Sequence, residues 1–163
     1  MKKIIIILTF FLLTANAGAS VFDRIGLGLV GGDPTGFTVK YRLDIDNSIV
    51  MHGGSSFFGK VHINFDYHLY YDIFDYQYIR VYLAPGISFG YGNGEDFFDL
   101  PIKSRFYTRK EGEVGIGIRT TGGLNIITEN GKLEFFLETG FLTAVSPDFN
   151  VNTLVAIGVR FYL

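Results

Sequence analysis

Thirteen residues, Val151 to Leu163, alternate without a break. One row reads Val151, Thr153, Val155, Ile157, Val159, Phe161 and Leu163; the other reads Asn152, Leu154, Ala156, Gly158, Arg160 and Tyr162. The first row is apolar and mostly β-branched, the second mostly small or polar. A period of two over this length specifies a β-strand with two unlike faces. Strands of soluble domains usually run to about five or six residues. Here the apolar row continues onto Phe161 and Leu163. A soluble strand seldom carries such an end, whereas a strand whose outer row is solvated by acyl chains does so naturally.

The same pattern recurs through the chain. Strands are expected at Asp23–Val30, Phe37–Leu43, Ser48–Phe57, Val61–Tyr71, Ile79–Phe89, Val114–Ile126 and Leu133–Phe141, with Val151–Leu163 the eighth. The third is the weakest, and its Gly53-Gly54 pair marks a bulge that switches parity. Gly59-Lys60 is expected to connect strands three and four, and Pro85 to introduce a bulge in strand five. Turn residues gather at 31–36, 44–47, 73–77 and 129–132, the last containing the hairpin dipeptide Asn130-Gly131. Residues 92–111 break the alternation and form the longest loop. The fold expected is all-β, an eight-stranded antiparallel up-and-down transmembrane β-barrel.

The chain opens with Lys2 and Lys3, an apolar run from Ile4 to Leu13, and Ala15-Asn16-Ala17. The run is too short to span a bilayer, so residues 1–17 read as a secretory signal peptide cleaved after Ala17. The remaining 146 residues suffice for one domain, and 12 basic residues stand against 16 acidic ones there. That balance excludes a nucleic-acid partner. Without cysteine there is no disulfide and no thiolate metal site. No later run approaches 18 apolar residues, so any membrane insertion is by strands.

Gly158, Phe161 and Leu163 follow the spacing of the C-terminal assembly signal of bacterial outer-membrane barrels, with Leu163 in place of the usual terminal Phe and Ala156 in place of a polar residue. With the leader, the strand count and the dyad pattern, the chain resembles the small eight-stranded outer-membrane barrel family (OmpA/OmpX-like). The resemblance implies residence in the bacterial outer membrane, contact with its lipid, and recognition of the last strand by the barrel-assembly machinery. Numbering from a periplasmic amino terminus puts loop 92–111 outside and the turns at 44–47, 73–77 and 129–132 inside. Tyr67, Tyr71, Phe74, Tyr76 and Tyr78 then form an aromatic girdle near the inner interface. What the family implies for function is a surface-exposed, porin-like scaffold that supports envelope integrity or displays an adhesin-like binding loop. The candidate loop residues are Phe97, Phe98, Lys103, Arg105, Phe106, Arg109 and Lys110, a mixture suited to an anionic glycolipid or a host or cell-surface protein.

The inward rows collect Arg24, Lys40, Arg42, Arg80, Arg119 and Arg160 with Asp66, Asp72, Glu134 and Glu138. An eight-stranded barrel leaves room only for side chains. Unpaired buried charges cost several kcal/mol, so a salt-bridge network filling the lumen is expected rather than an open channel. Strand adjacency pairs Glu134 and Glu138 with Arg119 and Arg160. An enzyme of the lipid A deacylase or acyltransferase kind would need His52, His62 or His68 beside Ser55 or Ser56, with Asp66 or Glu138. The deacylase His-x-Ser signature is absent and inward histidines suit a polar network, so no catalytic residue is expected. Asp66 with His62 or His68 lacks an evident third metal ligand, and no cofactor is expected. A soluble lipocalin-like carrier would require the opposite polarity, with the apolar rows inside.

Overall fold

The structure is a computed structural model and describes residues 24–73, 76, 78–94 and 113–163. Residues 1–17, expected as a leader, Phe74 of the expected girdle, and the loop candidates Phe97, Phe98, Lys103, Arg105, Phe106, Arg109 and Lys110 lie outside the described residues. Eight strands follow in order: β1 (Ile25–Gly32), β2 (Thr35–Arg42), β3 (Asn47–Ser56), β4 (Gly59–Tyr71), β5 (Ile79–Tyr91), β6 (Val114–Ile127), β7 (Leu133–Ser146) and β8 (Asn150–Tyr162). Each pairs antiparallel with its chain neighbour, and β1 pairs with β8, so the sheet closes into a barrel. Closure satisfies both edges of every strand and leaves no open ladder.

Because the side-chain period is two, closure sorts residues into an inner and an outer set. In β4, Val61, Ile63, Phe65, Tyr67 and Tyr71 are exposed, while His62, Asn64, Asp66, His68 and Tyr70 are buried. In β7, Phe135, Leu137 and Phe141 are exposed and Glu134, Phe136, Glu138 and Leu142 buried. Polarity is thus inverted relative to a soluble domain: large apolar side chains form the outer wall and charges form the core. Tyr67, Tyr71 and Tyr76 are all exposed, with Tyr78 partly so.

The barrel has two ends. The terminus end carries Arg24 and Leu163 and the connections 43–46, 72–78 and 128–132, the last with Gly131 at φ 69°. The loop end carries Asp33-Pro34, Phe57-Phe58, the long connection 92–113 and residues 147–149. Three of the loop-end connections are therefore as tight as any at the other end. The length asymmetry rests on residues 92–113 alone.

Three local expectations are corrected. Strands β3 and β4 are joined at Phe57-Phe58, and Gly59-Lys60 already belongs to β4. The β3–β4 register shifts between Gly54 and Ser56, one step beyond the Gly53-Gly54 pair. Pro85 produces no bulge: it faces outward, pairs in register with Thr120, and the β4–β5 register is the same at Asp66↔Gly86 and Leu69↔Leu83. A further irregularity falls between Ile116 and Gly117, where β6 meets β7. At the closing seam, a Cβ built on Gly28 would collide with the Val159 carbonyl oxygen. Glycine there lets β1 and β8 approach closely enough to complete the barrel.

Candidate functional site in the barrel interior

The interior is stacked in layers. Nearest the terminus end, Glu134 of β7 sits opposite Arg160 of β8. Its carboxylate accepts from Arg160 Nη1 at 2.6 Å, Lys40 Nζ at 2.7 Å and the Tyr162 hydroxyl at 2.7 Å. Arg160 Nε donates to Thr38 Oγ1 at 2.9 Å, and its guanidinium lies 3.8 Å from the centre of the Phe136 ring. Three donors on one buried carboxylate compensate much of its lost hydration, which is the condition under which a buried ion pair holds.

The middle layer is built on Arg119 of β6. Its guanidinium donates to Asp66 of β4 and to Glu138 of β7. Arg119 lies opposite Leu142, and Glu138 lies opposite Gly123, so the side chain reaches along the strand to its partner. Inward glycines provide the space. A Cβ at Gly86 would collide with Asp66 Oδ1, and one at Gly123 with the Tyr82 ring. The Tyr82 hydroxyl donates to Glu138 Oε2 at 3.0 Å. His68 stacks on Tyr82 with ring centres 4.3 Å apart, and its Nδ1 lies 3.1 Å from the Tyr70 hydroxyl. His52 Nε2 lies 3.8 Å from Asp66 Oδ2 and 3.7 Å from Glu138 Oε1.

Above these, Ser88 Oγ donates to Asn64 Oδ1 at 2.7 Å. At the loop end, Ser56 Oγ and His62 Nδ1 are 2.5 Å apart, and the Phe58 amide donates to Ser56 Oγ at 3.0 Å. Phe57, Phe58, Leu142, Ala144 and Leu154 form an apolar cluster across the barrel there. The terminus end instead opens into a cavity of about 440 Å³ lined by Arg24, Lys40, Arg42, Asp44, Tyr70 and Arg80, among others.

Of the charged residues assigned to the lumen, Lys40, Asp66, Arg119, Glu134, Glu138 and Arg160 are buried and paired. Arg24, Asp72 and Arg80 belong to the terminus-end mouth, which corrects their assignment, while Arg42 reaches the network at Glu134 from the rim. Arg24 precedes β1 and is exposed. Asp72 follows the last residue of β4 and is exposed, pairing with Arg80 at 2.5 Å, while Arg80 also holds Asp46 at 2.7 Å. Arg42 is half-buried, stacked 3.4 Å from the centre of the Tyr162 ring and 3.9 Å from Glu134. Parity chooses the face of a residue, but its height along the axis decides whether water reaches it. In the adjoining turn, Asp44 accepts from the Asn47 side chain and the Asp46 amide, which together hold its carboxyl below the ordinary aspartate range.

The histidines fall into two groups. His62 joins Ser56, whereas Ser55 lies outside that contact. His52 and His68 converge with Asp66, supplying the third ligand that the sequence did not reveal. Finding it required the register, because His52 pairs with Asn64 and so sits beside Asp66 across the β3–β4 ladder. Comparison with protein-family models, curated proteins and solved structures finds no match to this chain.

Proposed function

We propose that this chain is a non-enzymatic outer-membrane β-barrel protein that supports envelope integrity and displays the 92–111 segment at the cell surface. The observation that carries the reading is the inverted polarity of a closed barrel. Ile63, Phe65, Leu83, Ile118, Leu137 and Ile157 are exposed on the wall, while Arg119, Glu134, Glu138 and Arg160 are wholly buried. In water the wall would drive aggregation. Against lipid tails it is solvated, and a closed barrel leaves no backbone group unpaired in the hydrocarbon. The exposed rows of β4 to β8 lie on strands of 13 or 14 residues, longer than the roughly 9–11 residues that cross a bilayer.

Display follows from topology. With the terminus end in the periplasm, segment 92–111 emerges outside with Phe97, Phe98, Lys103, Arg105, Phe106, Arg109 and Lys110. Aromatic and basic residues together favour an anionic glycolipid or an acidic cell-surface ligand. The ion-paired middle and the apolar loop end favour a filled scaffold over a conducting pore. An acyl-transferring enzyme would rest on the Ser56–His62 contact. Ser56 Oγ is buried and engaged by the Phe58 amide, which supports a turn-capping role.

The test is trypsin shaving of intact cells with mass mapping of the fragments. Cleavage confined to Lys103, Arg105, Arg109 and Lys110 is expected. Resistance until the outer membrane is opened would overturn both the topology and the display function. Solubility in detergent-free buffer would favour a carrier, and a changed acyl count on lipid A incubated with the folded protein would favour the enzyme.

A further inference from the structure

We propose that His52, His68 and Asp66 form a site for a divalent transition-metal ion of the zinc class, held in the middle of the barrel. One donor atom from each lies within 4.8 Å of the other two, and all three residues are buried. Tetrahedral ligands bonded to zinc at about 2.0–2.2 Å lie about 3.3–3.6 Å apart, so the three side chains must draw together by up to about 1.5 Å to close the set. Two imidazoles and one carboxylate are a donor set for zinc, cobalt or nickel, and a poor one for calcium or magnesium, which take oxygen ligands.

The second observation is that each of the three residues has a buried donor atom with no hydrogen-bond partner among the described residues. Neither ring nitrogen of His52, nor His68 Nε2, nor Asp66 Oδ1, has a hydrogen-bond partner among the described residues. Four such atoms in one buried pocket are costly, since each unsatisfied group forfeits about 1–3 kcal/mol. His68 has its other nitrogen, Nδ1, beside the Tyr70 hydroxyl at 3.1 Å, and its ring is fixed by stacking on Tyr82. That is the outer-shell arrangement that leaves Nε2 for an ion. Arg119 donates to Asp66 in the same way and holds the carboxylate in place.

Charge decides which ion fits. Apart from Asp33 at the loop end, the buried cations Lys40, Arg119 and Arg160 balance Asp66, Glu134 and Glu138 among the described residues, so a divalent ion adds positive charge to the middle of the barrel. Zinc offsets part of this, because a water in its fourth position ionises near neutral pH. Glu138, with Oε1 3.7 Å from His52 Nε2, is the alternative fourth donor. Tyr70 lines the terminus-end cavity and touches His68, whereas Phe57, Phe58, Leu142 and Leu154 fill the loop end, so the ion is supplied during folding.

The chain is refolded in detergent with Zn²⁺ or Co²⁺, desalted, and assayed for metal content, with a heat-dependent gel shift reporting the folded state. One zinc per folded chain is expected, and the cobalt form should show the visible absorption of a four-coordinate nitrogen–oxygen site. His52→Gln and His68→Gln should each abolish stoichiometric binding, and His62→Gln should leave it intact. Tyr70→Phe keeps the ring and removes the outer-shell hydroxyl, so it should fold and bind about 10- to 100-fold more weakly. Less than one zinc on fully folded wild-type chain, or wild-type affinity in folded His52→Gln or Tyr70→Phe, would overturn the proposal. Should the histidine variants fail to fold, the wild-type stoichiometry and Tyr70→Phe still decide.

Discussion

The two ends of the barrel are closed by different physics. At the loop end Phe57 and Phe58 turn inward and meet Leu142, Ala144 and Leu154, so the lumen ends in apolar contact. At the terminus end Arg24, Arg42 and Arg80 surround an open cavity of about 440 Å³ and meet water. Between them the ion pairs change character with depth. The Lys40–Glu134 pair exposes 2% and 0% of its side chains, whereas Arg80 pairs with Asp46 and Asp72 at 13% against 65% and 66%. The same chemical bond therefore differs in worth along one axis. Deep in the lumen a lost partner leaves a charge without hydration; at the mouth water replaces it.

The largest effect should come from the deep pair. Glu134→Ala removes the acceptor of Lys40, Arg160 and Tyr162 at once. Unfolding in urea, followed by the gel shift, should register a loss of about 3–5 kcal/mol, typical of breaking a buried pair. Next is the apolar end. Phe58 is wholly buried, and Phe58→Ala should cost about 3 kcal/mol through lost transfer energy and a residual cavity. Planar-bilayer conductance should stay at baseline in this variant, because Arg119 with Asp66 and Glu138 still fills the lumen below. Conductance in Phe58→Ala would mean that the apolar end alone seals the barrel.

These differences also explain what the sequence discloses. Alternation in Val61–Tyr71 or Leu133–Phe141 assigns each residue to a face, and the inner faces then show which charges must meet. Glu134 with Arg160 is a direct cross-strand pair and was legible from adjacency; Arg119 with Glu138 also joins adjacent strands, but its offset depends on side-chain reach. Period two says nothing of height, so Arg24 and Asp72 share the lumen's parity and sit at its mouth. Phe57-Phe58 misleads for another reason. Two consecutive apolar residues cannot both continue an alternating strand, and tight turns usually favour polar or glycine residues. Here the turn folds over the barrel and buries both rings, a tertiary gain that local turn preference does not record. The His52–His68–Asp66 grouping depends on register, which a bulge near Ser55 helps to set and which alternation alone leaves open.

A smaller effect is expected at the seam. Gly28→Ala places a methyl group against the Val159 carbonyl. Moving β1 away from β8 to accommodate it should cost about 1–3 kcal/mol, the usual range for overpacking. It should also raise amide exchange along the β1–β8 ladder while leaving β4–β5 protected. Uniform exchange around the barrel would show that strain is shared by all strands and not stored at closure.

The smallest effect should be Arg80→Ala. Its partners Asp46 and Asp72 are largely hydrated, and Asp46 remains tied to the 43–46 turn because its backbone N–H donates to the Asp44 carboxylate. Loss of the pair should cost no more than about 1 kcal/mol. The cost should shrink further in molar salt, where the screening length falls to about 3 Å. Glu134→Ala should keep its full penalty in the same salt, since ions do not enter the packed layer around Arg160. If both penalties fall together, the deep layer is hydrated through the terminus-end cavity. The distinction between mouth and interior then becomes one of distance to water, with Tyr70 and Tyr162, the rings over which Lys40 and Arg42 lie, as the side chains that control it.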